Sequence, residues 1–134
     1  MINSQLKSHF INLYMVALSD NNFDEKELET ILKIGEEKGI SKEDFEKIII
    51  APTSAEIEIP VNFLSKIVLL YDFARVIWSD GKVEDEEKRA FIGYCSKFDF
   101  NIEESEELFL WLISLAKKNL PPNQLEEEIN QLIN

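Results

Sequence analysis

Six carboxylates that stand at matching positions of two similar turns are the side chains of this chain best suited to chemistry. The segment 19–27, Ser-Asp-Asn-Asn-Phe-Asp-Glu-Lys-Glu, returns sixty residues later as the segment 79–87, Ser-Asp-Gly-Lys-Val-Glu-Asp-Glu-Glu. Clustered carboxylates suit hard divalent cations such as calcium and magnesium. If the two turns pack about a pseudo-twofold axis, their acids can form one weak cation site. The candidate ligands are Asp20, Asp24, Glu27, Asp80, Glu84 and Glu87.

An EF-hand calcium loop does not fit either turn. In the second segment, the first and third ligand positions of such a loop fall on Val76 and Trp78, which offer no oxygen ligand. In a register that starts at Asp20, the glycine position holds Glu25 and the closing glutamate position holds Ile31. Each segment therefore supplies only half of a site, and the two halves differ.

The competing interpretation of the acidic turns is structural. Acids in the first turn of a helix interact favourably with the positive end of its dipole, and an aspartate in the turn can cap backbone N–H groups. Lys82 lies between Asp80 and Glu84 in the sequence, which disfavours strong cation binding at the second turn. We therefore favour capping over a metal site, and we expect no cofactor beyond a weakly bound calcium or magnesium ion.

A second polar feature lies within the most apolar part of the chain. Asp72 and Arg75 interrupt the hydrophobic helix predicted for residues 60–78, and their spacing of three residues lets them form an ion pair. Such a pair either satisfies itself within the fold or marks a buried polar site that receives a ligand. Asn12 stands at the position equivalent to Asp72 in the first half of the chain, which favours the structural role. Catalysis is expected only if the pair lines a pocket.

The remaining reactive side chains form no catalytic constellation. His9 is the single histidine and has no cysteine near it, so we expect it on the surface of the first helix rather than in a zinc site. Cys95 has neither a histidine nor basic residues around it, which is typical of a buried apolar thiol. The sequence contains no phosphate-binding loop, dinucleotide fingerprint or nucleophile elbow. We therefore predict no catalytic residue and no enzyme activity.

Composition and charge narrow the class of protein further. The 134 residues fit a single domain, 1–134, and a hydrophobic content of 45% with 30% charged residues is typical of a folded soluble chain. A formal charge of −12 opposes binding to nucleic acid or to an anionic membrane and favours a partner protein with a basic surface. The start of the chain lacks a signal-peptide pattern, and the apolar run 67–78 is too short to span a bilayer. We expect a cytoplasmic protein without membrane insertion.

Apolar periodicity and capping residues predict an all-α fold of about seven helices. Gly39 is expected to end the second helix, and Ser41 and Asn101 are expected as N-caps of the third and sixth. The fifth helix is expected from Val83 onward. The last helix is expected to dock back on the fold through one apolar stripe: Leu125, Ile129, Leu132 and Ile133.

The similarity of segments 19–27 and 79–87, sixty residues apart, also predicts an internal duplication. Residues of about 6–50 and 63–116 form two copies of one helical unit, each burying its apolar face on the other. The apolar helix at 60–78 carries hydrophobic residues around most of its circumference, so we expect it at the centre of the fold.

The two turns match the recurring sequence motif of a known family. The motif consists of an apolar helix, then Ala or Ser, Asp, Gly, a variable residue and an aliphatic residue, with a Glu one turn into the next helix. Residues 79–83, Ser-Asp-Gly-Lys-Val, match it with Glu87, and residues 19–23 match it with Glu27 and with Asn21 in place of the glycine. Over about 13–115, the chain therefore resembles the TerB-like family, which includes tellurite-resistance proteins and the N-terminal domain of DnaJ-like co-chaperones.

The resemblance implies a duplicated helical fold with an acidic face, in a bacterial stress-response or envelope-associated setting, without an agreed activity. The acidic positions that it carries over are the same six: Asp20, Asp24, Glu27, Asp80, Glu84 and Glu87. The co-chaperone context does not transfer, because neither a J-domain nor a transmembrane anchor is found in the sequence.

The sequence thus predicts a non-enzymatic acidic helical module that binds or scaffolds another protein through its acidic face. If that face is formed by the two turns, charge reversal at Asp80 and Glu87 is expected to abolish binding. The alternative is a weak divalent-cation sensor that uses the same turns.

Overall fold

Every residue of regular structure that the computed structural model describes is helical, which confirms the all-α prediction. The described residues are 8–13, 25–41, 43–44, 46–47, 62–79 and 81–133. The helices are α1 at residues 8–13, α2 at Glu25–Glu37, α3 at Phe63–Trp78, α4 at Asp85–Lys97, α5 at Ile102–Lys117 and α6 at Pro122–Ile133. Residues 43–44 and 46–47 are also helical and fall within the predicted third helix.

The apolar helix α3 lies at the centre of the described fold, as its composition predicts. It packs against α2, α4, α5 and α6, and its buried side chains are distributed around its whole circumference. Asn62 caps its first turn, with Oδ1 accepting a hydrogen bond from the backbone N of Ser65 at 2.7 Å. The helix begins at Phe63, whereas the sequence placed its start at Pro60, which lies outside the described residues.

Helices α3 and α5 run in the same direction. Near their starts, the rings of Phe63 and Phe100 meet edge to face with centroids 6.1 Å apart. Near their ends, Lys117 Nζ lies 4.8 Å from the centre of the Trp78 ring. The turns that follow both helices therefore lie at the same end of the molecule.

Helices α2 and α4 correspond residue by residue at an offset of sixty. Each is thirteen residues long, and each ends in a Schellman turn whose left-handed residue is Gly39 (φ +83°) in one and Asp99 (φ +70°) in the other. In both turns the following amide donates to the carbonyl five residues earlier, at 2.8 Å for Ile40 and 3.0 Å for Phe100. Gly39 thus ends its helix as predicted. The internal duplication stays a prediction, which these matched turns support.

Side-chain caps fix the starts of α5 and of the helical segment that follows Ser41. Asn101 Oδ1 accepts from the backbone N of Glu104 at 2.8 Å, and Glu104 Oε1 accepts from the backbone N of Asn101 at 3.0 Å. This reciprocal capping box confirms Asn101 as the predicted cap. Ser41 is confirmed in the same way, since its Oγ accepts from the backbone N of Asp44 at 3.1 Å. Helix α4 begins at Asp85, two residues later than the sequence suggested.

The C-terminal helix docks back on the fold, as predicted. Leu125 and Ile129 are buried, and α6 packs against α3. The side chains of Leu132 and Ile133, predicted to complete the stripe, lie outside the described part of the chain. Among the described helices, none combines the length and hydrophobicity that crossing a bilayer requires.

Replacing Asn101 by Ala should lower the free energy of unfolding by about 0.5–2 kcal/mol, because the first turn of α5 loses its capping acceptor. Urea denaturation measures the change. Asn130→Ala is the matched control, since Asn130 is exposed within α6 and alanine is the better helix former there. Equal losses in the two variants would contradict the capping assignment.

Candidate functional site

Three of the six predicted acids, Glu27, Glu84 and Glu87, lie within the described residues, and they do not form a group that can hold a metal ion. Asp20, Asp24 and Asp80 lie outside the described residues. Glu27 and Glu87 are fully buried, in the first turns of α2 and α4. Within the described ranges, no three His, Cys, Asp or Glu side chains are grouped so that they can hold a metal ion. A calcium or magnesium site at the turns stays a prediction.

Glu87 has a structural role that its burial explains. The backbone N of Glu84 donates to Glu87 Oε1 at 3.2 Å, and the Glu84 side chain accepts in return from the backbone of Glu87. This is a capping box at the start of α4. A carboxylate that faces inward and caps a helix offers little to a partner, which disfavours Glu87 as a contact residue, and binding through the acidic turns stays a prediction.

Asp72 is the centre of a buried charged network. Its residue is 2% exposed, although it lies on the most apolar helix. One oxygen, Oδ2, lies 2.8 Å from His9 Nε2 and 3.3 Å from Lys38 Nζ. The other, Oδ1, lies 3.8 Å from a guanidinium nitrogen of Arg75. The predicted Asp72–Arg75 pair is therefore present, but the shorter contact of Asp72 is with a helix far away in the sequence.

His9 is buried, so its predicted surface position is wrong. It is 1% exposed, and its ring meets the rings of Phe10 and Phe73 edge to face, each with centroids 5.5 Å apart. Because a carboxylate oxygen accepts, Nε2 of His9 is assigned the hydrogen that the bond to Asp72 requires. The carboxylate offsets the cost of bringing a polar ring into the core. The sequence did contain a signal for this contact. His9 is the single histidine of the chain and Asp72 is the single acid of the apolar helix, so the two could have been predicted to pair.

Asn12 does not reproduce the environment of Asp72. Its side-chain nitrogen donates to the carbonyl of Ser8 at 2.7 Å, and its oxygen accepts from the Tyr94 hydroxyl at 2.8 Å. Burial raises the pKa of Tyr94, which keeps that hydroxyl protonated as a donor. The two sequence-equivalent polar residues therefore satisfy different partners.

The guanidinium of Arg75 is held mainly by Glu37. Two parallel hydrogen bonds of 2.8 and 2.9 Å join its two terminal nitrogens to the two oxygens of the carboxylate. Burial acts to lower the pKa of Arg75, but the hydrogen bonds and the charge of Glu37 and the charge of Asp72 raise it on balance. The Arg75 side chain is 12% exposed and that of Glu37 is 32% exposed, so the pair lies at the edge of solvent.

Arg75 and Glu37 form part of the wall of a cleft of about 670 Å³. This volume is typical of small-molecule sites. The cleft lies where α2 passes the ends of α3 and α5. Its lining comes from four segments: Lys26, Thr30, Lys33 and Glu37 of α2, Tyr71, Arg75 and Trp78 of α3, Ser79 and Gly81, and Ala116, Asn119, Leu120 and Pro121. Asp72 does not line it, so only Arg75 of the predicted polar pair reaches this cleft.

The cleft is a site that sequence reasoning missed. The available signal was Lys26, Thr30 and Lys33, which follow each other at spacings of four and three residues and so share one face of α2. Such a face in isolation resembles ordinary solvated surface. Its position opposite Arg75 and Trp78 depends on how α2 packs against α3, which the sequence does not specify.

Tyr71 links two of the segments that line the cleft. Its hydroxyl donates to the carbonyl of Leu120 at 2.7 Å, which links α3 to the turn after α5. Burial raises the pKa of Tyr71 to about 12, although the charge of Arg75 acts in the opposite direction. The phenol is therefore a hydrogen-bond donor at neutral pH.

Cys95 is buried within the core, as predicted. Burial raises the pKa of its thiol to about 12, and a hydrogen bond with Ser105 lowers it by less. The thiolate, which is the nucleophilic form, is absent at neutral pH.

Replacing Asp72 by Ala should lower the free energy of unfolding by about 3–5 kcal/mol, because it leaves His9 and the nearby cations without their buried counter-charge. Glu37→Gln removes a carboxylate from the solvent edge and should cost no more than about 1 kcal/mol. Both changes are measured by urea denaturation. Similar costs for the two variants would show that Asp72 is not the organising charge.

The free energy of unfolding should fall as pH rises from about 9 to 12. Cys95 and Tyr71 have pKa values of about 12 in the folded chain against ordinary values of 9.0 and 10.0. Over this range the unfolded chain binds fewer protons than the folded chain, so their contribution, complete below about pH 9, is lost. Urea titrations of the wild type and Cys95→Ala at several pH values measure the slope. The variant should show the shallower slope, and parallel slopes would contradict the assignment for Cys95.

No protein-family model, no curated protein and no solved structure matches this chain.

Proposed function

We propose that this chain is a non-enzymatic helical module that binds a basic segment of a partner protein through the acidic outer ridge of α5. The ridge is defined by Ile102, Glu106 and Leu110, which follow each other at four-residue spacing. The observation that carries the proposal is the exposure of its two apolar members, 72% for Ile102 and 68% for Leu110. Exposed apolar side chains that share one helix face and are rimmed by polar residues mark a candidate contact surface.

The charges around the ridge are of one sign. Glu103, Glu104 and Glu107 are exposed beside Glu106, and the sequence holds no Lys or Arg from 98 to 116. None of these four glutamates forms an ion pair with another side chain in the described part of the chain. A ridge of uncompensated carboxylates with apolar anchors favours a partner that presents Lys or Arg beside apolar residues.

A shallow groove beside the ridge offers room for an apolar anchor of the partner. It has a volume of about 530 Å³ and lies between the end of α4 and the start of α5. Its walls include Ile92, Phe100 and Ile102, and Glu103 stands at its edge. An aliphatic or aromatic side chain in this groove brings a neighbouring cation within reach of Glu103.

This surface differs from the one that the acidic turns suggested. Glu87 is buried in the capping box of α4, and the ridge of α5 carries the exposed carboxylates instead. The cation-sensor alternative has no support among the described residues. A TerB-like identity, with a cytoplasmic place in bacterial stress response or tellurite resistance, belongs to the same proposal and is supported by the matched helices α2 and α4.

The test uses a synthetic amphipathic helix of about eighteen residues, with Lys on one face and Leu on the other. Calorimetric titration at about 0.15 M salt, where distant charges are screened, should give saturable binding. Glu106→Lys and Leu110→Ser should each weaken it by about tenfold, because one removes charge complementarity and the other removes an apolar anchor.

Glu126→Lys is the matched control, since it makes the same change in net charge at an exposed position of α6. It should leave the affinity within about twofold of the wild type. Equal losses in Glu106→Lys and Glu126→Lys would mean that the peptide responds only to overall charge, and the ridge would then not be the interface.

A further inference from the structure

We propose that α5 is also the contact between two copies of this chain, which pack their α5 helices antiparallel about a twofold axis at Leu110. In this pair, Glu103 of each copy faces Lys117 of the other. The dimer forms whether or not the basic partner proposed above exists, but it covers the same ridge. A second copy of the chain is therefore a competitor for that surface.

The outer face of α5 carries a nearly straight row of three exposed residues. Glu103, Leu110 and Lys117 follow each other at seven-residue spacing, which is two helical turns with a drift of only about 20° per step. Leu110, the central residue, is 68% exposed. The row shares Leu110 with the ridge, so the row and the ridge belong to one surface.

The charges along this row reverse about its centre. Glu103 lies about 10.5 Å before Leu110 along the helix axis, and Lys117 lies the same distance after it. When two such helices pack antiparallel with Leu110 against Leu110, each glutamate therefore stands level with the lysine of the other copy. In the parallel orientation like charges would meet instead, which is unfavourable. The row is thus complementary to itself, as a twofold contact between identical chains requires.

The residues beside the row repeat this pattern. Glu106 and Glu107 are exposed before Leu110, and Lys118 is exposed after it. Helical geometry puts Lys118 on the same side of the antiparallel contact as Glu107 of the other copy. Ser114, which stands level with Glu106 of the other copy, is small and half-buried, so it allows the two helices to approach closely. A second copy therefore supplies lysines beside a leucine, which is the composition proposed for the partner.

Both lysines are available for this contact. Within the described part of the chain, neither Lys117 nor Lys118 forms an ion pair with another side chain. Nζ of Lys117 lies 4.8 Å from the centre of the Trp78 ring. An ammonium group has three N–H donors, so a contact with one ring face leaves donors for a carboxylate.

The overall charge makes this dimer weak. Two chains of formal charge −12 repel each other at a distance, but salt at about 0.15 M screens charges beyond about 8 Å and leaves contacting pairs less affected. A contact between two single helices is also smaller than a standard protein interface. We expect a dissociation constant of about 0.1 mM. The ridge is then free in dilute protein and covered in concentrated protein.

The test is sedimentation equilibrium of the full chain at about 0.15 M salt and at chain concentrations up to about 1 mM. The wild type should self-associate. Leu110→Asp should weaken self-association by at least about tenfold, because it places two carboxylates on the twofold axis. Glu103→Lys and Lys117→Glu should each weaken it by about tenfold, because each makes like charges face each other. Circular dichroism shows that each variant is folded.

A mixture of Glu103→Lys and Lys117→Glu is the decisive sample. Every facing pair between the two variants is again of opposite charge, so the mixture should associate more tightly than either variant alone. Both variants keep a negative net charge, so attraction between whole chains cannot explain such a result. If the mixture associates no more tightly than its components, the antiparallel contact is wrong.

The matched controls are Glu86→Lys and Lys97→Glu, which make the same changes in the first and last turns of α4. Lys97 also resembles Lys117 in lying over an aromatic ring, 5.4 Å from the centre of Tyr94. Each control should leave self-association within about twofold of the wild type, and their mixture should show no gain. Equal losses in the controls, or a wild type that stays monomeric at about 1 mM, would overturn the dimer.

The outcome is distinguishable from that of the proposed function. A dimer that forms although the Lys/Leu peptide does not bind supports this contact and counts against the basic partner. Peptide binding by a strictly monomeric chain overturns the dimer and leaves the basic partner standing. If both occur, the peptide should dissociate the dimer, since both cover Leu110. A peptide that binds without dissociating the dimer would place the dimer contact elsewhere.

Discussion

The described fold depends on the compensation of one buried carboxylate. Asp72 lies on the helix that every other long described helix contacts, in surroundings that would otherwise be wholly apolar. An isolated charge there would be costly, so the neighbouring elements must supply counter-charges at fixed positions. His9 comes from α1 and Lys38 comes from the turn after α2. Arg75, on α3 itself, also forms an ion pair with Glu37 of α2. Because α3 is apolar around its circumference, apolar packing alone does not fix its rotation about its own axis. The contacts of Asp72 favour the one rotation that places it beside His9 and Lys38.

The same arrangement places two surfaces of different composition on different parts of the described fold. Helix α5 exposes a run of glutamates, whereas the cleft on the α2 side collects lysines around Arg75. Arg75 belongs to both the core network and the cleft, so a ligand there would act on a side chain that also contributes to stability.

Local sequence patterns predicted those features that depend on interactions between residues close together in the chain. Asn101, Ser41 and Gly39 were predictable because caps and left-handed residues satisfy backbone groups within one turn. The burial of His9 and the cleft around Lys33 were not, because both depend on the rotation and packing of helices far apart in the sequence. Glu87 shows a third case, in which the acidic motif was recognised but its side chain turns inward.

The distance along the chain between His9 and Asp72 has a consequence for the order of folding. Their hydrogen bond joins residues sixty-three positions apart, whereas the contacts among α3, α4 and α5 close much shorter loops. Early collapse of α1 onto α3 in a wrong register would bury Asp72 without its partner, which is unfavourable. The three helices from α3 to α5 can form the folding nucleus, and the N-terminal elements then add only in the register that neutralises the carboxylate. Docking of α1 in the native register is thus favoured over other registers, because that register gives Asp72 its hydrogen bond to His9.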